Sequence, residues 1–158
     1  IIDLLKLQNK DQGICEIAND NADGQVIISG NKNSIESFQV ILKDKEIKSI
    51  PLKVSAPFHC SLMMPAAKTM ESKIYNPKFT DPIFKIINNV TACSESDANN
   101  IKKLLVKQIF STVKWRESII KMQETGVKNF IEIGPGKILT GMVTVSYTHL
   151  TLPTTPYV

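Results

Sequence analysis

An α/β fold with a largely parallel sheet is predicted by two features of the sequence. Short apolar or β-branched runs, such as Gln25-Val26-Ile27-Ile28-Ser29 and Asn129-Phe130-Ile131-Glu132-Ile133, alternate with longer segments whose apolar residues fall at helical spacing. The 158 residues are 42% hydrophobic and 22% charged, the balance of a soluble chain able to bury a core.

In chain order, residues 3–9 carry Leu4, Leu5 and Leu7 and read as the end of a helix. Residues 14–18 read as a short strand. Asn19-Asp20-Asn21-Ala22-Asp23-Gly24 is a turn by composition, and residues 25–29 are a buried strand. After a loop from Gly30, Ser34 is placed to cap a helix over 35–45, with Ile35, Phe38, Ile41 and Leu42 on one face. Residues 49–55 alternate as an edge strand, where Pro51 is tolerated.

The second half has more helix. Residues 62–74 place Met63, Ala66, Ala67, Met70 and Ile74 at helical spacing, with Pro65 in the first turn, where a missing N–H costs little. Residues 83–88 form a strand. Asp97 caps a helix through Phe110, and a further helix over 115–123 ends near Gly126. Residues 129–133 are a strand, Gly134-Pro135-Gly136 a tight turn, and residues 137–143 the last helix. There is no internal repeat.

Composition excludes several function classes. No run of about 18 apolar residues exists to span a membrane. The net charge of +4 comes from lysines spread along the chain, with few aromatics. That pattern argues against nucleic acid and suits an anionic small molecule or an acidic partner protein. Cys15, Cys60 and Cys93 are an odd set without paired spacing, which speaks against a disulfide framework or zinc site and for a reducing, cytoplasmic compartment. The first ten residues have no signal-peptide pattern, and without an initial Met they are expected to lie mid-protein.

His59 is the residue most able to do chemistry. Pro57 holds Ala56 extended, so His59 falls between the end of a strand and the start of a helix, where an imidazole can serve as a general base or as a structural side chain. Cys60 beside it is either a nucleophile or core, and core packing explains it better. Gly134-Pro135-Gly136 reads as a strand-to-helix turn or, with a less complete glycine pattern, as a phosphate cradle.

Three segments carry a family resemblance. They are Ala18-Asn19-Asp20-Asn21-Ala22-Asp23-Gly24-Gln25-Val26-Ile27-Ile28-Ser29-Gly30, Val54-Ser55-Ala56-Pro57-Phe58-His59-Cys60-Ser61-Leu62-Met63, and Phe130-Ile131-Glu132-Ile133-Gly134-Pro135-Gly136-Lys137-Ile138-Leu139-Thr140-Gly141-Met142. Together with Asn88-Asn89-Val90 and Trp115, they resemble the carboxy-terminal half of the malonyl-CoA:acyl carrier protein transacylase family of bacterial type II fatty acid synthesis.

The resemblance implies a hydrolase-like parallel-sheet core with a ferredoxin-like small subdomain. Residues 1–53 would be part of the small subdomain and 54–144 the returning part of the core. It implies His59 as the base for an elbow serine that precedes Ile1, since no Gly-x-Ser-x-Gly occurs in the chain. It implies the Glu132 backbone carbonyl, rather than its carboxylate, as the group orienting His59. Gln25 would line the acyl pocket, and Phe58 would favour malonyl over methylmalonyl by crowding an α-methyl. Asn19 and Asn21 either line the same pocket or make local turn hydrogen bonds.

The implied substrates are malonyl-CoA and the phosphopantetheine of acyl carrier protein. No metal or redox cofactor is implied, and the enzyme is expected to be a monomer. Two alternatives stand beside it: an acyltransferase domain of a polyketide synthase, and a non-catalytic carrier-protein binding module. Residues 145–158, including His149, depart from the family. They resemble translated sequencing-adapter sequence or a disordered tail, and His149 is excluded from the site.

Overall fold

The structure, a computed structural model, describes residues 1–6 and 13–146. Its organising element is a β-hairpin. Strand β1 (Cys15–Ala22) pairs antiparallel with β2 (Gln25–Gly30) across Asp23-Gly24, with irregular register between Ile17 and Asn19 and between Asp20 and Ala22. Gly24 takes the positive φ of 76° that closes so short a connection.

The turn expected over 19–24 is therefore confined to its last two residues. Asn and Asp favour turns locally, but here both edges of β1 are engaged. The far edge meets residues 111–114, with the Asp20 N–H donating to the Val113 carbonyl (2.9 Å) and the Val113 N–H to the Ala18 carbonyl (2.8 Å). The Asp20 carboxylate is also neutralised, because Arg116 Nη2 approaches it at 2.7 Å.

Helix α1 spans Ile2–Leu5, and the remainder of the helix expected there lies outside the described residues. Helix α2 (Lys32–Asp44) packs on the hairpin and buries Ser34, Phe38 and Leu42. It starts before Ser34, at Lys32, with Asn31 as the N-cap residue. The Asn31 side chain accepts the Ile14 N–H (2.8 Å) instead of capping its own helix. Gly30 allows this close approach, since a Cβ there would lie 2.0 Å from the Ile14 carbonyl oxygen.

A 3-10 turn, Ser61–Met63, leads into α3 (Met64–Tyr75), with Pro65 in the first turn as expected. Short strands β3 (Ile86–Ile87) and β4 (Ser94–Glu95) pair antiparallel. Helix α4 (Ala98–Lys107) is capped by Asp97, whose carboxylate accepts the Asn100 N–H at 2.6 Å. It packs on α3, and Lys102 Nζ donates to the carbonyls of Tyr75, the last residue of that helix, and Pro77. Helix α5 (Trp115–Glu124) and α6 (Ile138–Ser146) both reach β1. Ile119 and Val143 meet there in a small core with Trp115, Met122 and Phe130.

Two expected strands and the parallel sheet do not form among the described residues. The one parallel contact is the isolated bridge between Asn19 and Val113. Residues 49–55 and 129–133 have no regular structure, and Ile50, Leu52, Ile131 and Ile133 are exposed. A parallel strand is stable when flanked on its edges and covered on both faces, and Ile133, at 95% exposed, is neither. The final helix runs through Val145 and Ser146, which were expected in the tail, and residues 147–158 lie outside the described residues. No helix among the described residues is long and apolar enough to cross a membrane.

Candidate active site

His59 lies in the segment between α2 and the 3-10 turn and has φ of +58°, an uncommon conformation for a residue with a Cβ. Several contacts hold it. The preceding segment is tightened by a bond from the Phe58 N–H to the Ala56 carbonyl (3.0 Å). Cys60 is completely buried, and its thiol reaches the Pro57 carbonyl at 3.1 Å. That burial agrees with the core reading of Cys60 and leaves it inaccessible as a nucleophile.

The His59 ring is oriented by a carbonyl, but not by the expected one. Nδ1 lies 2.8 Å from the Gln108 carbonyl oxygen. A carbonyl only accepts, so this contact places the proton on Nδ1 and leaves the Nε2 lone pair available to take a proton. Gln108 is the C-cap of α4, and the carbonyls of a helix's last turn have no intrahelical donor. The arrangement thus uses an acceptor that the end of α4 exposes.

The role expected of Glu132 is corrected accordingly. Its carboxylate serves the start of α6. Oε2 accepts the Thr140 hydroxyl (2.6 Å) and N–H (2.9 Å), and Oε1 accepts the Leu139 N–H (3.2 Å). First-turn amides need such a partner, and a negative charge is favourable there. These bonds, led by the Thr140 hydroxyl, hold the Glu132 carboxyl below its ordinary pKa. A lowered folded pKa adds stability above the unfolded value, about 4.3 for Glu, and that stability is lost as pH falls through the folded value. Glu132→Gln should flatten the acid limb of the unfolding curve below about pH 4.3. An acid limb identical in both proteins would show the capping bonds to be absent in solution.

The residues expected to line an acyl pocket occupy the hairpin and the His59 segment. Asn19 and Asn21 are in β1, where Asn21 is buried at 7% exposure, and Gln25 opens β2 in an exposed position. Phe58 precedes His59 and is 47% exposed. The two regions are tied by Glu16 of β1, whose carboxylate accepts both the N–H (2.8 Å) and the hydroxyl (2.7 Å) of Ser61. Gln108 and Glu16 went unrecognised in the sequence. A main-chain acceptor has no side-chain signature, although the predicted end of the 97–110 helix marked where one would be exposed. Among the described residues no cluster of three His, Cys, Asp or Glu side chains could hold a metal.

Most of the chain matches known proteins. A malonyl CoA-acyl carrier protein transacylase of Haemophilus influenzae is 36% identical over 136 residues, 85% of this chain and 44% of that protein. The crystal structure of a malonyl CoA-acyl carrier protein transacylase from Clostridium perfringens superposes with a TM-score of 0.89 at 35% identity, covering 95% of this chain and 47% of that one. The chain is homologous to the malonyl CoA-acyl carrier protein transacylases.

A type II polyketide malonyl-transacylase, solved in complex with its acyl carrier protein, matches with a TM-score of 0.86 at 35% identity, covering 92% of this chain and 47% of that one. No family model matches. The likeness to these structures agrees with an α/β fold. The chain spans about half the length of the transacylases it matches.

Proposed function

We propose that this chain supplies the histidine half of a serine–histidine transacylase that moves malonyl from coenzyme A to acyl carrier protein in fatty acid biosynthesis. The observation carrying this is the His59 Nδ1 contact with the Gln108 carbonyl, within a segment homologous to transacylases. Nε2 of His59 takes the proton of a serine Oγ as that oxygen attacks the malonyl thioester carbonyl. The proton then passes to the departing coenzyme A sulfur. In the second half, His59 takes the proton of the phosphopantetheine thiol. The thiolate attacks the malonyl ester, and the proton returns to the serine oxygen. No step calls on a metal or a redox cofactor.

The serine belongs to the part of the transacylases that this chain does not span. Residues 1–53 form part of a ferredoxin-like small subdomain and 54–144 the returning part of a hydrolase-like core, in a monomeric cytoplasmic enzyme. Gln25, Phe58, Asn19 and Asn21 line the acyl pocket, supported by the Glu16–Ser61 link between hairpin and His59 segment. The match to a polyketide transacylase supports a second setting, with the same chemistry serving polyketide synthesis.

Two incubations with malonyl-CoA test the proposal. The complete protein, with the flanking coding sequence restored, should release coenzyme A in a burst of about one equivalent as the acyl-enzyme forms. It should then malonylate holo acyl carrier protein. This chain alone should form no covalent malonyl adduct. A stable adduct on a residue of this chain, or no transfer by the complete protein, would overturn the split assignment.

A further inference from the structure

Glu16 lies outside the proton path described above, yet its carboxylate is committed to Ser61, two residues beyond His59. Oε2 accepts the Ser61 N–H at 2.8 Å and Oε1 the Ser61 hydroxyl at 2.7 Å. Ser61 opens the 3-10 turn, so its N–H is a first-turn donor without an intrahelical acceptor. A carboxylate gripping both donors of one residue fixes position and rotation together, and charge-assisted bonds are the stronger kind.

The grip matters because of what lies on either side. Two residues back, His59 holds a left-handed φ of +58°, which a residue with a Cβ keeps only when its surroundings enforce it. Just past Glu16 on the same strand, β1 holds the segment that follows Gln108. The Thr112 hydroxyl donates to the Ile17 carbonyl at 2.6 Å, and the Val113 N–H to the Ala18 carbonyl at 2.8 Å. Strand β1 therefore carries both members of the His59–Gln108 contact, one through Glu16 and the other through its main chain.

We propose that Glu16 is a positioning residue for His59, setting the ring against the Gln108 carbonyl and so selecting the Nδ1–H tautomer. Its consequence for transfer rests on the proposed role of His59 as base. The tautomer itself does not, and this separates the two ideas experimentally.

The test is ring-nitrogen NMR of the 15N-histidine-labelled chain, with His59 distinguished from His149 by a His149→Ala background. The parent should show mainly the Nδ1–H tautomer at a pH where the ring is neutral. In Glu16→Ala the Nδ1–H form should fall to the minor species while amide signals of α5 and α6 stay in place. Glu16→Gln, whose amide oxygen can still accept the Ser61 N–H, should restore most of it. If Glu16→Ala disrupts the amide spectrum, Ser61→Ala provides the milder break and should produce a partial shift.

An unchanged tautomer in whichever of these variants stays folded would overturn the proposal. In the complete protein, Glu16→Ala should lower kcat by about 10–100-fold with little change in KM. A shifted tautomer with unaltered kcat would uphold the positioning and overturn the role of His59 as base.

Discussion

In the complete protein, His59→Ala is expected to lower kcat/KM for malonyl transfer by about 10²–10⁴-fold, the usual cost of removing a general base. Glu132→Gln is expected to leave it within a factor of a few. The ring of His59 is met at Nδ1 by the Gln108 carbonyl, which leaves Nε2 as the proton acceptor. Glu132 is occupied with the hydroxyl and amide of Thr140 and the amide of Leu139 at the start of α6, and the single oxygen of a glutamine can still accept from Thr140. Steady-state kinetics with acyl carrier protein as acceptor decides the matter. Retention of activity within tenfold in His59→Ala would remove it as the base. A carboxylate that holds a catalytic imidazole costs about 10⁴-fold when changed to its amide, so a loss of that size in Glu132→Gln, with the fold intact, would place Glu132 beside the ring after all.

Phe38→Ala should cost about 3–5 kcal/mol, the range for emptying a buried aromatic site. Phe38 is the largest fully buried side chain among the described residues, and it lies where α2 packs on the hairpin. A single domain has only about 5–15 kcal/mol in hand, so the variant should approach the limit of folding. Urea unfolding followed by the fluorescence of Trp115, which is remote in sequence, measures the loss. A cost below about 1 kcal/mol would mean that α2 closes over the gap.

Much of this arrangement is legible in the residues, and the failures share a cause. Asp97 as a cap, Pro65 in a first turn, the end of α5 near Gly126 and the amphipathic face of α2 are read correctly because each depends on neighbours within a turn or two. Residues 129–133 read as a strand and have no regular structure, because a strand needs edges that local sequence does not supply. Asp20 misleads in the other direction. Its composition says turn, but Arg116 and Val113, nearly a hundred residues away, hold it in a strand. In the candidate site His59 is visible because its chemistry belongs to its side chain. The expected partner, the Glu132 carbonyl, was misplaced because a main-chain oxygen is a matter of where the backbone passes.

That use of a main-chain oxygen has a consequence for how such a site tolerates mutation. Every residue carries a carbonyl, so nearly any side chain at position 108 preserves the acceptor, and an alanine scan would pass over it in silence. What cannot vary freely is the length of α4. One residue inserted or deleted within 98–107 would turn a different carbonyl toward the ring, by about 100° for a helix of 3.6 residues per turn. Selection on this contact should therefore appear as intolerance of insertions and deletions in α4, with permissive substitution at the very position that meets the histidine.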